Sequence, residues 1–290
     1  MSASRQNPTA SSAAADLMGS IDIPPRPALL MALQRELRRK EPDVRKVAQL
    51  LGRDAAMAGQ LLKTANSAFL NLRRRSDSVD DAIALIGMNH CSSIMEGLIV
   101  RSILGTGKMM MARFWDVSEK RAQGMSYLAR QTSAVPQELA YSFGLFCDIG
   151  IPLMKATFPT YLETLSIANK MGGWRFVRLE EVRHGINHTM VGATLAEHWG
   201  ISPAIVLAIK LHHAPEALAD NAVPTVVKGL VAINLVVEKA IEEFRGADVS
   251  LEWRDGGSAA AGVLGLSMNE IDALCAQLIQ VFSGALPPAA

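Results

Sequence analysis

A single carboxylate, Asp148, stands inside the apolar run Tyr141-Ser142-Phe143-Gly144-Leu145-Phe146-Cys147-Asp148-Ile149-Gly150-Ile151-Pro152. Taking a carboxylate out of water is costly unless it is paired, hydrogen-bonded or bound to a metal. Residues able to meet it lie downstream, at His188 and the adjacent His212-His213. Imidazoles and a carboxylate are the donors of a divalent metal site, and equally of a buried hydrogen-bonded network. Consecutive residues on a helix diverge by about 100°, so His212 and His213 are not expected to share one ion. A metal there would use Asp148, His188 and His212; the network is the favoured reading, and no cofactor is expected. Cys147 needs a nearby cation to become a reactive thiolate. Its apolar neighbours point instead to inert packing.

Helices must position these groups. Leu29, Leu30, Leu33 and Leu37 recur at helical spacing opposite Arg35, Arg38, Arg39 and Lys40. Asp43 and Asp54 are placed to cap the next two helices. Ser78 with Asp81, and Ser267 with Glu270, read as capping boxes. Another helix covers about 92–104, and a long amphipathic one covers 114–133. The Asp148 run is expected on a helix that starts near Gln137. Helices at 162–171, 178–183 and from Asn187 or His188 to Trp199 follow. Ser202-Pro203 is a start signal for a helix ending at His212-His213. The stretch 223–244 reads as the longest helix, 245–262 as a Gly- and Ser-rich loop, and 267–284 as a last helix. Only Trp174 to Val177 hints at a strand. The fold class is therefore all-α, in two packed helical sub-bundles. The boundaries fall at a tail over 1–20, a first sub-bundle over 21–106, a second over 107–284 and a short tail over 285–290. Met109-Met110-Met111 reads as ordinary core filling by default, with a pliable seam between the sub-bundles as the alternative.

The chain has 290 residues, a formal net charge of +1 and 49% apolar residues. That supplies a large core and no general pull toward nucleic acid or acidic lipid. Three scattered cysteines, Cys91, Cys147 and Cys275, are an odd number without CxxC spacing, as in a reduced protein. The first fifteen residues lack the apolar core of a signal peptide, and no run reads as a membrane span. The expectation is a soluble cytoplasmic protein.

Several stretches together resemble the HDOD family, the HD-related output domain. In the first half they are Pro24-Pro25-Arg26-Pro27, Arg53-Asp54, Thr64-Ala65-Asn66-Ser67, and Asp81-Ala82-Ile83 with Leu85-Ile86-Gly87. In the second half they are Phe114-Trp115, Gly144 to Gly150, His188 with Gly192-Ala193, Trp199, and Ala208-Ile209 before His212-His213. The resemblance implies a helical bundle related to metal-dependent HD phosphohydrolases, the HD-GYP cyclic-di-GMP phosphodiesterases among them. In those enzymes an early His, a His-Asp dyad, later histidines and a late Asp hold the metals. Here the early His falls at Val117, the dyad His at Cys147 and the late Asp at Asn234, while Asp148, His188, His212 and His213 are kept. Ile151 stands where the HD-GYP lysine follows the dyad, and Ala214-Pro215-Glu216 replaces Gly-Tyr-Pro. The implied site is degenerate.

Arg73-Arg74-Arg75 is a candidate contact for an acidic partner. No aromatic residues alternate with it to stack on bases, so nucleic acid is the weaker reading. The function expected from the resemblance is a non-catalytic bacterial signalling module acting through protein contacts. Its partner would be met in trans, because 290 residues leave no room for a second output domain. The alternative is a metal-dependent phosphohydrolase acting on a nucleotide second messenger such as cyclic-di-GMP.

Overall fold

Short polar side chains start many of the helices. The computed structural model describes residues 17–67, 70, 74–105, 109–247 and 251–283. Helix α1 (Ala28–Leu37) begins directly after Pro27. Asp43 accepts the amides of Arg45 and Lys46 to open α2 (Val44–Leu51). Asp54 accepts those of Ala56 and Met57 to open α3 (Ala55–Ala65). Ser78 accepts the Asp81 amide at the start of α4 (Val79–Ile86). The Asp81 carboxylate turns instead to Arg74 and the Asp77 amide, so only half of that expected capping box forms. Helix α5 (Met88–Leu104) completes the first half.

The second half runs through α6 (Met109–Thr132), α7 (Gln137–Phe146), α8 (Gly150–Thr157), α9 (Tyr161–Met171) and α10 (Gly173–His184). It continues with α11 (His188–His198), α12 (Pro203–Leu211), a 3-10 turn (Pro215–Leu218), α13 (Thr225–Phe244), α14 (Leu251–Leu264) and α15 (Met268–Phe282). Ser267 and Glu270 form a full capping box at α15. No strand occurs among the described residues, and the fold is all-α.

Helix α5 is the hub of the first half. It packs on α1, α2, α3 and α4, and its Ile94, Met95, Ile99 and Val100 are buried with Leu30, Leu33, Val47 and Leu61. It also packs on α7, which joins the halves through one continuous core. Two polar ties cross the same seam: Trp199 Nε1 donates to the Pro24 carbonyl at 2.9 Å, and Arg38 donates to the Gly200 carbonyl at 3.0 Å. In the second half, α6, α7 and α13 pack together, with Leu230, Ile233 and Val237 fully sheltered.

Five local expectations are corrected. The longest helix among the described residues is α6, with 24 residues, and not the stretch 223–244, whose helix α13 has 20. Asp148 lies in the turn over 147–149 between α7 and α8, not within a helix. The expected loop over 245–262 contains α14. Gly256 serves packing there: a Cβ on it would meet Pro215 and Leu235 at about 3 Å. The strand-like run Trp174 to Val177 belongs to α10, which starts at Gly173 rather than near 178. The stretch Gln137–Thr157 does have the length and apolarity of a membrane span, contrary to expectation. It is broken by the turn at Asp148, and its most apolar window is 78% buried, so the protein core accounts for its composition. Thr106, Gly107 and Arg73 lie outside the described residues.

Two glycines in the apolar run set the position of Asp148. A Cβ on Gly144 would stand 2.6 Å from the Ala122 Cα, so α7 rests directly on the α6 backbone beside Arg121. A Cβ on Gly150 would overlap the His188 carbonyl oxygen and lie 2.8 Å from the Gly192 amide nitrogen, so α8 rests on the start of α11. Asp148 is thereby held between Arg121 and His188. Since backbone cannot step aside as a side chain can, we predict that Gly150→Ala destabilises the protein by at least the ~1–3 kcal/mol usual for overpacking. A thermal melt checks this; an unchanged melting temperature would show that α8 and α11 can separate freely.

Candidate functional site

Asp148 is met from three sides. One carboxylate oxygen, Oδ2, accepts from Arg121 Nη2 at 2.8 Å, from α6. The other, Oδ1, faces His188 Nε2 at 3.5 Å and His212 Nε2 at 3.3 Å. Arg121 continues through Nε to the carboxylate of Glu238 on α13. The expected partners were imidazoles; the shortest contact is an arginine that the sequence reading did not name.

A ring of oxygens fixes each imidazole. His188 Nδ1 lies 2.7 Å from Glu180 Oε2, and the same oxygen accepts the His188 amide. Tyr161 donates to the other oxygen of Glu180. His212 Nδ1 meets the Ile209 carbonyl at 2.8 Å, and His213 Nδ1 meets Glu252 of α14 at 2.8 Å. With Nδ1 of each ring engaged in this way, Nε2 is left to face the centre. Among the described residues, His188 Nε2 and His212 Nε2 are buried and have no hydrogen-bond partner.

The charges follow from burial and neighbours. Burial opposes ionisation of Asp148, but Arg121, with the facing imidazoles of His188 and His212, holds its carboxyl well below the usual range. Burial pushes Glu238 up despite the same arginine, so Arg121 acts first as the counter-ion of Asp148. Burial also disfavours a charged His188, yet Glu180 and Asp148 keep it protonated up to about 10. His212, desolvated and beside His213, is driven down to about 4 and stays neutral.

Asp148, His188, His212 and His213 present donor atoms that all lie within 4.8 Å of one another. The two imidazole–Asp148 separations match the edge of a tetrahedron with bonds of about 2.0–2.1 Å, which is about 3.4 Å. The hydrogen-bonded Nδ1 atoms supply the outer contacts that orient metal-binding histidines. These residues therefore fit one divalent ion. This corrects the expectation that His212 and His213 diverge: His212 ends α12 and His213 lies in the turn beyond, so their rings come within 4.0 Å of each other.

The other expected positions contribute no donor. Val117 is half-buried, one turn before Arg121 on α6. Cys147 is buried, with its thiol pushed well up by burial and by Asp148, and its sulfur lies 3.8 Å from Asn234 Oδ1. A neutral thiol facing an amide is not a metal-binding pair. In the arginine cluster, Arg74 is tied to Asp81 at 2.8 Å, while Arg75 is exposed without an ion pair among the described residues. Arg73 is not among them. Glu180, Glu238 and Glu252 were also missed. The available signal was spacing, since Arg121 lies four residues after Val117 and Glu238 four after Asn234, each on the same helix face.

Solved structures with this fold include an HDOD domain protein of unknown function from Geobacter sulfurreducens, at 20% identity and a TM-score of 0.72, covering 96% of this chain and 99% of that one. A second, from Shewanella amazonensis SB2B and provisionally named a phosphohydrolase, has 20% identity and a TM-score of 0.68, covering 94% and 99%. The chain belongs to the HDOD family, whose profile matches residues 23–215. It is also similar to an uncharacterised Treponema pallidum protein, 23% identical over 202 residues and covering 67% of this chain. The uncharacterised Bacillus subtilis protein YuxH is 30% identical over 141 residues, covering 48% of this chain. The matched regions span only 39% and 34% of those two relatives.

Removing one member of a buried charged pair leaves the other uncompensated, at roughly 3–5 kcal/mol. We predict losses of that order for Arg121→Met and for Asp148→Asn separately, and less than their sum for the double variant. Denaturant unfolding of the four proteins measures the coupling; strict additivity would separate the two residues energetically.

Proposed function

We propose that this protein is a regulatory HDOD module that works through protein contacts and does not turn over phosphate esters. The observation that carries the reading is the guanidinium of Arg121 on Asp148 Oδ2. Where a carboxylate bridges two metals, both of its oxygens face the ions, and the ion pair stabilises the attacking and leaving oxygens together. In this protein a fixed organic cation takes one of those oxygens. Val117, Cys147 and Asn234 add no ligand to offset the loss.

One divalent ion can still be held, by Asp148 Oδ1 with His188, His212 and His213. Such an ion would supply a local positive charge and a strong cross-link between helices. Binding it would require His188 to give up its proton, since only a neutral imidazole ligates. Without the ion, that proton and Arg121 balance the surrounding carboxylates. In either state the centre ties α6, the α7–α8 turn, α11 and the end of α12 together, which is a structural task.

The partner in this reading is a signalling protein met in trans, with neither membrane nor nucleic acid as the primary target. Arg73, Arg74 and Arg75 remain the candidate contact, and steering by such a cluster fades as salt rises. The phosphohydrolase reading is kept as the alternative by the name of the Shewanella protein and by the metal-compatible donors.

Three measurements test this. Purified protein supplied with Mn²⁺ or Fe²⁺ is expected to leave cyclic-di-GMP, nucleotides and nitrophenyl phosphate intact; turnover that disappears in Asp148→Ala would restore the enzyme. Metal analysis of protein purified without chelator is expected to return no more than one ion per chain, and two would contradict the role given to Arg121. Replacing Arg73, Arg74 and Arg75 together by Ser is expected to weaken partner capture at low salt while helical circular dichroism is retained. Equal capture at every salt concentration would remove the cluster from the mechanism.

A further inference from the structure

Away from the Asp148 centre, a cleft of about 390 Å³ opens along the seam between the two halves. One wall comes from the first half, with Gln34 and Leu37 of α1 and Glu96 of α5. The facing wall comes from the second half, with Leu139 and Ser142 of α7 and Ile205 of α12. Its volume lies within the range of small-molecule sites, and its lining mixes apolar surface with a few converging polar groups. None of these residues belongs to the HD-type centre.

Glu96 is the unusual member. Its carboxylate accepts from Ser142 Oγ at 3.2 Å and is hydrogen-bonded by the Gln34 side chain. Both of those partners are neutral, and among the described residues Glu96 enters no ion pair. The other charged groups lining the cleft are Arg38 and Glu138. Arg38 is exposed and donates to the Gly200 carbonyl, and Glu138 adds a second negative charge. Arg26, next along the wall, is hydrogen-bonded to Gln34. A carboxylate in a partly apolar cleft without a counter-ion is held there at a cost unless a cation or a proton joins it. Desolvation has raised Glu96 to about 7 with no charge contributing, so the proton is held weakly near neutral pH.

We propose that this cleft binds an alkylammonium or alkylguanidinium group, with the cation against Glu96 and Ser142 and its carbon chain along Leu37, Leu139 and Ile205. The group replaces the missing counter-ion, and the apolar walls select a cation with an aliphatic stem over a hydrated inorganic ion. Because the walls belong to different halves, an occupant links α1 and α5 to α7 and α12. That is a suitable place for a ligand to bias a protein that signals through contacts. The inference stands whether or not Asp148 holds a metal.

The chemistry has two sources, a free amine or the basic side chain of a partner protein, and two probes separate them. Agmatine represents the first and the end-blocked tripeptide Gly-Arg-Gly the second, with n-pentanol as the neutral control. Calorimetric titration of the full chain at pH 8 is expected to show saturable binding of at least one cationic probe and none of pentanol. Tighter binding of agmatine assigns a free amine, and tighter binding of the tripeptide assigns a partner's side chain. Affinity is expected to fall at least ten-fold in Glu96→Gln, and to weaken as pH drops below about 7 with a proton released on binding. Leu139→Trp, which fills the cleft from the other wall, is expected to abolish binding and guards against a Glu96 variant that fails to fold. Lack of saturation with both cations, or wild-type affinity in either variant, overturns the proposal.

Discussion

The contact between Arg121 and Asp148 is the constraint around which the second half is arranged. It joins α6 to the α7–α8 turn at 2.8 Å, and both groups are largely withdrawn from water. Neither charge is tolerable there alone. Everything adjacent serves to satisfy the remaining valences: Glu238 takes Arg121 Nε, His188 and His212 face the free oxygen of Asp148, and Glu180 orients His188. A network of this kind specifies one arrangement of helices more sharply than apolar packing does, because its members meet at fixed distances and directions.

The same contact leaves the imidazoles of His188, His212 and His213 in place while a guanidinium occupies one oxygen of Asp148. His188, His212 and His213 retain geometry suited to an ion, down to the hydrogen bonds on their Nδ1 atoms. Beside them a positive charge is already installed, on Arg121. A guanidinium does not exchange, has no open position for water and cannot polarise a phosphate oxygen as a metal does. Under the regulatory reading, function depends on the outer surface and on the seam between the halves, where Glu96 enters no ion pair among the described residues.

Much of the fold was readable along the chain. Asp43, Asp54, Asn187 and Ser267 cap where their side chains and spacing indicate, and the proline at the start of α12 marks that helix correctly. The misreadings share a cause. Glycine and serine in 245–262 suggest a loop by local propensity, whereas α14 runs through 251–264 and the missing Cβ of Gly256 lets it lie against Pro215 and Leu235. Tertiary contact overrode propensity there. The helical angle that separated His212 from His213 failed for a similar reason, because the helix has ended by His213.

By itself the sequence determined the all-α class, the family, and the set of Asp148, His188, His212 and His213 as a centre. Such features are local or combinatorial: a capping residue acts within one turn, and a carboxylate in an apolar run announces that partners exist. Which partners they are was decided only by the tertiary structure. Arg121, Glu180, Glu238 and Glu252 look like ordinary solvated charges on amphipathic helices until the glycine contacts at 144 and 150 fix how α6, α7, α8 and α11 stack. Ion pairing depends on distance and burial, and neither is written in the order of residues.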